Sequence, residues 1–116
     1  MSKKSLKNIS NKDLKAAKIL KANVKKVFGN RVISVIVYGS RAEGRAQKDS
    51  DLDIFLLMKK RPKLSSKESN ELSRIAFDIL EKYNIYPSTV VYGEKEFNKL
   101  QNTPYIYWLK KTGVLV

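Results

Sequence analysis

Gly39-Ser40-Arg41-Ala42-Glu43-Gly44-Arg45-Ala46-Gln47-Lys48-Asp49-Ser50-Asp51-Leu52-Asp53 joins two apolar runs. Before it stands Val32-Ile33-Ser34-Val35-Ile36-Val37-Tyr38, β-branched and almost continuously apolar, which predicts a central strand covered on both faces. After it, Asp51 to Met58 reads as a second strand. Residues two apart on a strand point to the same side, so Asp51 and Asp53 present two carboxylates from one face of a sheet. Like charges that close call for a cation between them, or one carboxyl tends to keep its proton. Hard oxygen ligands of this kind suit Mg²⁺, which is held by a few carboxylates and completed by substrate phosphates. Gly39 lets the backbone approach a phosphate. Ser40, opening a helical turn, can donate both its hydroxyl and its backbone N–H. Arg41, Arg45 and Lys48 are available to offset phosphate charge, and Arg41, adjacent to Ser40, is the preferred one. Asp49 is assigned to the turn before Asp51, and Glu43 to the loop. The constellation points to a metal-bound nucleoside triphosphate.

Around it the chain reads as one domain, residues 1–116, with 1–9 a flexible basic lead-in. Ser10-Asn11-Lys12-Asp13 is a capping box, with Ser10 at the N-cap and Asp13 reaching back. Ile9 and Leu14 can form the accompanying hydrophobic staple. Leu14, Ala17, Leu20, Val24, Val27 and Phe28 repeat at helical spacing, and Gly29 ends the helix. Ser65 to Glu68 is a second capping box, opening a helix lined by Leu72, Ile75, Ala76, Ile79 and Leu80. Ile85 to Tyr92 is a third strand. Pro87, early in it, argues for an edge or a bulge. Glu94 to Leu100 is a short helix. Thr103-Pro104 caps another, over Tyr105 to Lys111, stopped by Gly113. Val114 to Val116 adds a terminal strand. The expected class is α/β (α+β): a small mixed sheet of three to four strands with flanking helices.

Composition narrows the chemistry. The chain has no Cys and no His, which removes disulfides, thiolate ligands and imidazole bases. No apolar run is long enough to span a membrane and no apolar leader follows Met1, so the expected location is cytoplasmic, with no membrane partner. The net charge is +13, and residues 1–31 hold ten basic residues against one acid, Asp13. Such a field attracts polyanions or an acidic protein partner. Nucleic acid is the less favoured of these, because no aromatic–basic interleaving suited to single strands is present. Tyr105 and Trp108, three apart on a short helix, can share a face, either as cover for the sheet or as a protein interface. A homo-oligomer is compatible with the small size and a free sheet edge.

Gly39-Ser40 followed by Asp51-x-Asp53 resembles the nucleotidyltransferase fold of DNA polymerase beta. More narrowly, Gly39-Ser40-Arg41-Ala42-Glu43-Gly44 through Asp51-Leu52-Asp53-Ile54 is similar to the signature of the stand-alone minimal nucleotidyltransferases, the MNT proteins. A weaker echo follows in Glu94-x-Glu96-Phe97, Pro104 and Gly113-Val114, so the resemblance covers about residues 15–116. It implies that Gly39, Ser40 and Arg41 hold the triphosphate of ATP and that Asp51 and Asp53 are the catalytic carboxylates and the Mg²⁺ ligands. It implies attack of a hydroxyl on the α-phosphorus, with pyrophosphate leaving. MNT proteins frequently pair with a small helical HEPN protein as toxin and antitoxin, and in well-described pairs the MNT protein adds AMP to a tyrosine of its partner. Active members carry a third carboxylate on the next central strand. Here Ile85 to Tyr92 holds no Asp or Glu, and Ser88 stands at the equivalent position. Glu81 and Glu94 flank that strand but lie outside it. The resemblance thus leaves two readings: AMP transfer to a partner HEPN protein, or an MNT-fold antitoxin, weak or inactive in catalysis, that acts by binding.

Overall fold

The computed structural model describes residues 8–45, 50–61, 63 and 66–116. Lys48, Asp49, the Ser65 capping residue and lead-in residues 1–7 lie outside the described residues. The elements run α1 (Asn11–Phe28), β1 (Val32–Tyr38), α2 (Gly39–Ala42), β2 (Leu52–Met58), α3 (Ser66–Tyr83), β3 (Pro87–Gly93), α4 (Glu94–Lys99), α5 (Pro104–Thr112) and β4 (Val114–Leu115). The four strands form one sheet in the order β3-β2-β1-β4. β1 runs antiparallel to β2 and β4, while β2 and β3 are parallel and joined through α3. The sheet is therefore mixed, as expected.

The apolar pattern of β1 explains its central place. Val35, Ile36, Val37 and Tyr38 are all buried, alternating between two cores. One core lies under α1 and α3 and takes Val35, Val37, Leu52, Ile54, Leu56 and Met58 from the sheet. Ala17, Leu20, Val24 and Phe28 of α1 and Ile75 and Ile79 of α3 close it. The other lies under α4 and α5, where Ile36, Tyr38 and Phe55 meet Ile106 and Leu109, with Phe97 and Leu100 packed at the margin. Three layers result, helices on both faces of a sheet.

Helix ends follow the local signals. The Ser10 side chain accepts from the Asp13 amide at 3.0 Å, and Ile9, the last residue before it, is buried. The expected reciprocal half of this capping box is replaced: the Asp13 carboxylate instead accepts from Arg41, 28 residues further on. A carboxylate that has a buried cation within reach gains more there than from a backbone amide that water can also satisfy. Thr103 caps α5 through the Ile106 amide, with Pro104 in the first turn. The third strand begins at Pro87 rather than at Ile85 and forms one edge of the sheet. Its first position is where a residue without an N–H costs least. The second strand begins at Leu52, leaving Asp51 one residue ahead of it.

Phe55 is the keystone of the second core, fully buried with its ring 5.2 Å from that of Tyr92, 5.8 Å from Phe97 and 6.5 Å from Tyr105. Phe55→Ala removes that ring without a way to collapse the space, and urea denaturation is expected to show a loss of about 3–5 kcal/mol; a loss under about 1 kcal/mol would mean that this core does not hold the sheet to α4 and α5.

Candidate active site

The site lies where β1 ends and β2 begins. Tyr38 pairs with Asp53 across the antiparallel ladder, and Asp53 pairs with Ser88 across the parallel one. Residues in register on neighbouring strands point to the same face, so Tyr38, Asp53 and Ser88 form one row across three strands, on the side covered by α5. Asp53 is half-buried and Asp51, just before the strand, is exposed. The two carboxylates interact: burial, and behind it the charge of Asp51, hold the Asp53 pKa above the ordinary carboxylate value.

Gly39 turns the chain out of β1 at φ +77°, a conformation that side chains rarely accept. A Cβ there would come within 2.7 Å of Asp53 Oδ2 and 3.7 Å of the Trp108 ring. The backbone angle requires the glycine, and a Cβ there would in addition push the Asp53 carboxylate aside. After it the backbone closes a tight turn, with Glu43 N–H donating to the Gly39 carbonyl at 3.2 Å and Arg45 N–H to the Ser40 carbonyl at 2.8 Å. Gly39, Ser40, Asp51 and Asp53 are therefore gathered at one end of the sheet, as the sequence predicts.

Arg41 stands beside them with two of its donors bonded to other groups. Its Nη1 donates to Asp13 Oδ1 at 2.9 Å and its Nε to the Ser50 carbonyl at 2.8 Å. Arg45 is exposed and paired with Glu43.

Aromatic side chains wall the site. The Tyr105 hydroxyl donates to the Tyr38 hydroxyl at 3.0 Å, and the Tyr38 ring meets Tyr105 and Trp108 edge to face at 6.1 and 5.4 Å. Burial pushes both phenols above their ordinary value, so they stay neutral at physiological pH. Tyr105 and Trp108 do share a face. Tyr105 is half-buried as cover for the sheet, and Trp108 keeps 42% of its surface exposed at the rim. Sequence reasoning assigned no site role to Tyr38 or Asp13. The available signal for Asp13 was its isolation as the one acid among ten basic residues in 1–31.

The donor set fits a divalent cation that completes its shell elsewhere. Among the described residues no group of three or more acidic ligands forms. Two carboxylates, one of them carrying an unfavourable ionised state, beside a glycine cradle are suited to an ion shared with phosphate oxygens. A groove of 440 Å³ between α1 and the β1–β4 edge, lined by Lys18, Lys21 and Val116 among others, holds none of these residues. Among the described residues no helix is long and apolar enough to cross a membrane.

The family model for the nucleotidyltransferase domain matches residues 15–112, and the chain belongs to that family. It is 30% identical, over 99 residues, to the Methanocaldococcus jannaschii protein named "Putative protein adenylyltransferase MJ0141", covering 85% of this chain and 93% of that one. Its fold matches a chain in the crystal structure of a mutant toxin–antitoxin MntA-HpeT, with a TM-score of 0.57 at 14% identity, covering 89% of this chain and 70% of the other. A toxin–antitoxin structure with AMP-PNP matches with a TM-score of 0.55 at 15% identity and the same coverage, 89% and 70%.

The raised Asp53 pKa has a consequence for stability. The folded chain holds that proton more tightly than the unfolded chain, so the ionised carboxylate costs stability once pH exceeds the folded-state pKa, and the cost disappears below the unfolded value. Asp53→Asn is expected to raise the Tm of the ligand-free protein near pH 7, with the gain shrinking as pH falls through the folded-state pKa and gone below about 4, the unfolded value. A lower Tm near pH 7, measured by calorimetry, would show that the carboxylate is instead a stabilising partner in the fold.

Proposed function

We propose that this chain is a Mg²⁺-dependent nucleotidyltransferase that moves AMP from ATP onto a hydroxyl of a partner protein, a HEPN-family protein being the partner that the MNT resemblance implies. The observation that carries this reading is the closeness of Gly39 to Asp53: the glycine turn that leads into Ser40 lies against a carboxylate suited to share a cation with phosphate. The M. jannaschii relative's name and the AMP-PNP in the toxin–antitoxin structure support the nucleotide and the class of transfer.

Asp51 and Asp53 would hold the ion, which when bound supplies positive charge to offset the phosphate oxygens and the leaving pyrophosphate. Gly39 leaves room for the Asp53 carboxylate at the turn, and Ser40 donates its hydroxyl and amide to the phosphate chain. Tyr38, Tyr105 and Trp108 keep water from one side of the acid pair. In the reaction a bond forms between the acceptor oxygen and the α-phosphorus, the bond from that phosphorus to the bridging oxygen breaks, and the acceptor proton is released.

One observation favours a second reading. Ser88 occupies the register position beside Asp53, and β3 carries no carboxylate at all. A hydroxyl is a weaker ligand than a carboxylate, which suits an antitoxin that keeps the fold and neutralises by contact.

The two readings separate by intact mass. A HEPN-family protein encoded beside this chain, incubated with it and Mg–ATP, is expected to gain the mass of one AMP, with Ser88→Asp accelerating the gain at least about tenfold and Asp51→Asn abolishing it. A stable complex with no mass gain from either the wild type or Ser88→Asp would establish neutralisation by contact.

A further inference from the structure

The guanidinium of Arg41 ties together the two halves of the site. Arg41 follows Ser40 directly, and the Ser50 carbonyl it binds at 2.8 Å directly precedes Asp51. The intervening loop therefore enters and leaves through one side chain. The other face of the guanidinium is spent on Asp13, at 2.9 Å, in the first turn of α1. Both side chains are out of water, at 10% exposure for Arg41 and 6% for Asp13. Asp13 is itself fixed: its amide donates to Ser10, it sits at the anion-favouring end of an 18-residue helix, and Ala16 and Ala17 behind it are fully buried. The same end of α1 meets the loop a second time, since a Cβ on Gly44 would come within 2.6 Å of the Asn8 carbonyl.

We propose that Asp13 is a positioning residue for the Asp51–Asp53 pair, acting through Arg41, and that Arg41 serves this link rather than contacting phosphate. The inference rests on the reading of Asp51 and Asp53 as ion ligands only for its consequence in nucleotide binding. The link itself is a property of the free protein. Planarity matters: Arg41 reaches a carboxylate and a carbonyl at once from a fixed fork, which a lysine ammonium cannot copy. A buried pair of this kind adds little net stability, and its worth lies in fixing one arrangement, because removing either partner strands the other charge.

The test has two arms. In the free protein, amide hydrogen exchange of Asp13→Asn is expected to quicken at least about tenfold at Glu43, Arg45 and Leu52, whose N–H groups bond to Gly39, Ser40 and Tyr86, while α3 amides exchange as in the wild type. Unchanged exchange at those three amides, or an equal rise throughout α3, overturns the proposal. Should Asp13→Asn not fold, Arg41→Lys, which keeps the charge, carries the same comparison. In the second arm, calorimetric titration with Mg–ATP is expected to show affinity about 10–100-fold weaker for both Asp13→Asn and Arg41→Lys, with the double variant no weaker than the worse single one. A loss confined to Arg41→Lys would make Arg41 a phosphate ligand and overturn the proposal. Absence of Mg–ATP binding by the wild type would count against the nucleotidyltransferase reading alone, and the exchange arm would still decide the role of Asp13.

Discussion

The approach of Gly39 to the Asp53 carboxylate is the constraint on which the rest of this molecule turns. At φ +77° any side chain at position 39 is strained, and its Cβ would also sit 2.7 Å from Oδ2 unless the Asp53 carboxylate turned aside, so glycine is the residue that fits the exit from β1. That exit fixes the Ser40–Ala42 turn, which places Arg41 over Asp13 and Ser50, which in turn delivers Asp51 to the start of β2. The register Tyr38–Asp53–Ser88 then sets what surrounds the carboxylate. The turn is local, while the Arg41–Asp13 contact and the strand register span the chain.

The site is held at a cost. Burial and Asp51 both oppose ionisation of Asp53, and no cation among the described side chains is bonded to it; the nearby arginine is committed to Asp13. Two carboxylates set together, with the adjacent guanidinium bonded to Asp13, suit the proposed reading, in which a cation comes from outside. The aromatic wall adds to this, since the Tyr105 hydroxyl donates to that of Tyr38 and the pair, neutral at physiological pH, offers the carboxylate an uncharged flank. The absence of a carboxylate at position 88 limits how many ions such a site can hold strongly.

Much of this was legible in the sequence. The strands, the helices and their order follow from apolar periodicity and from caps such as Ser10 and Thr103, whose chemistry acts within a few residues. The juxtaposition of Gly39-Ser40 with Asp51-x-Asp53 was legible too, because one ends an apolar run and the other opens the next, and consecutive strands that pair antiparallel set those ends side by side. What could not be read was long-range choice. Asp13 satisfies the local rule for a capping box, but a buried guanidinium 28 residues away outbid the local amide. Arg41 reads as a phosphate ligand from its place beside Ser40; only the tertiary fold shows where its fork points. Trp108 and Tyr38 likewise join the site through packing of α5 on the sheet, for which no sequence spacing is a guide.

The central claim is that the acid pair beside Gly39 receives a metal-bound nucleotide. Calorimetric titration of ATP, with and without Mg²⁺, into the wild type and into the Asp51→Asn/Asp53→Asn double variant tests it most directly. The account predicts binding that requires Mg²⁺ and is lost in the double variant while the fold, followed by circular dichroism, is kept. Binding that is equal with and without Mg²⁺, or equal in the double variant, would contradict it.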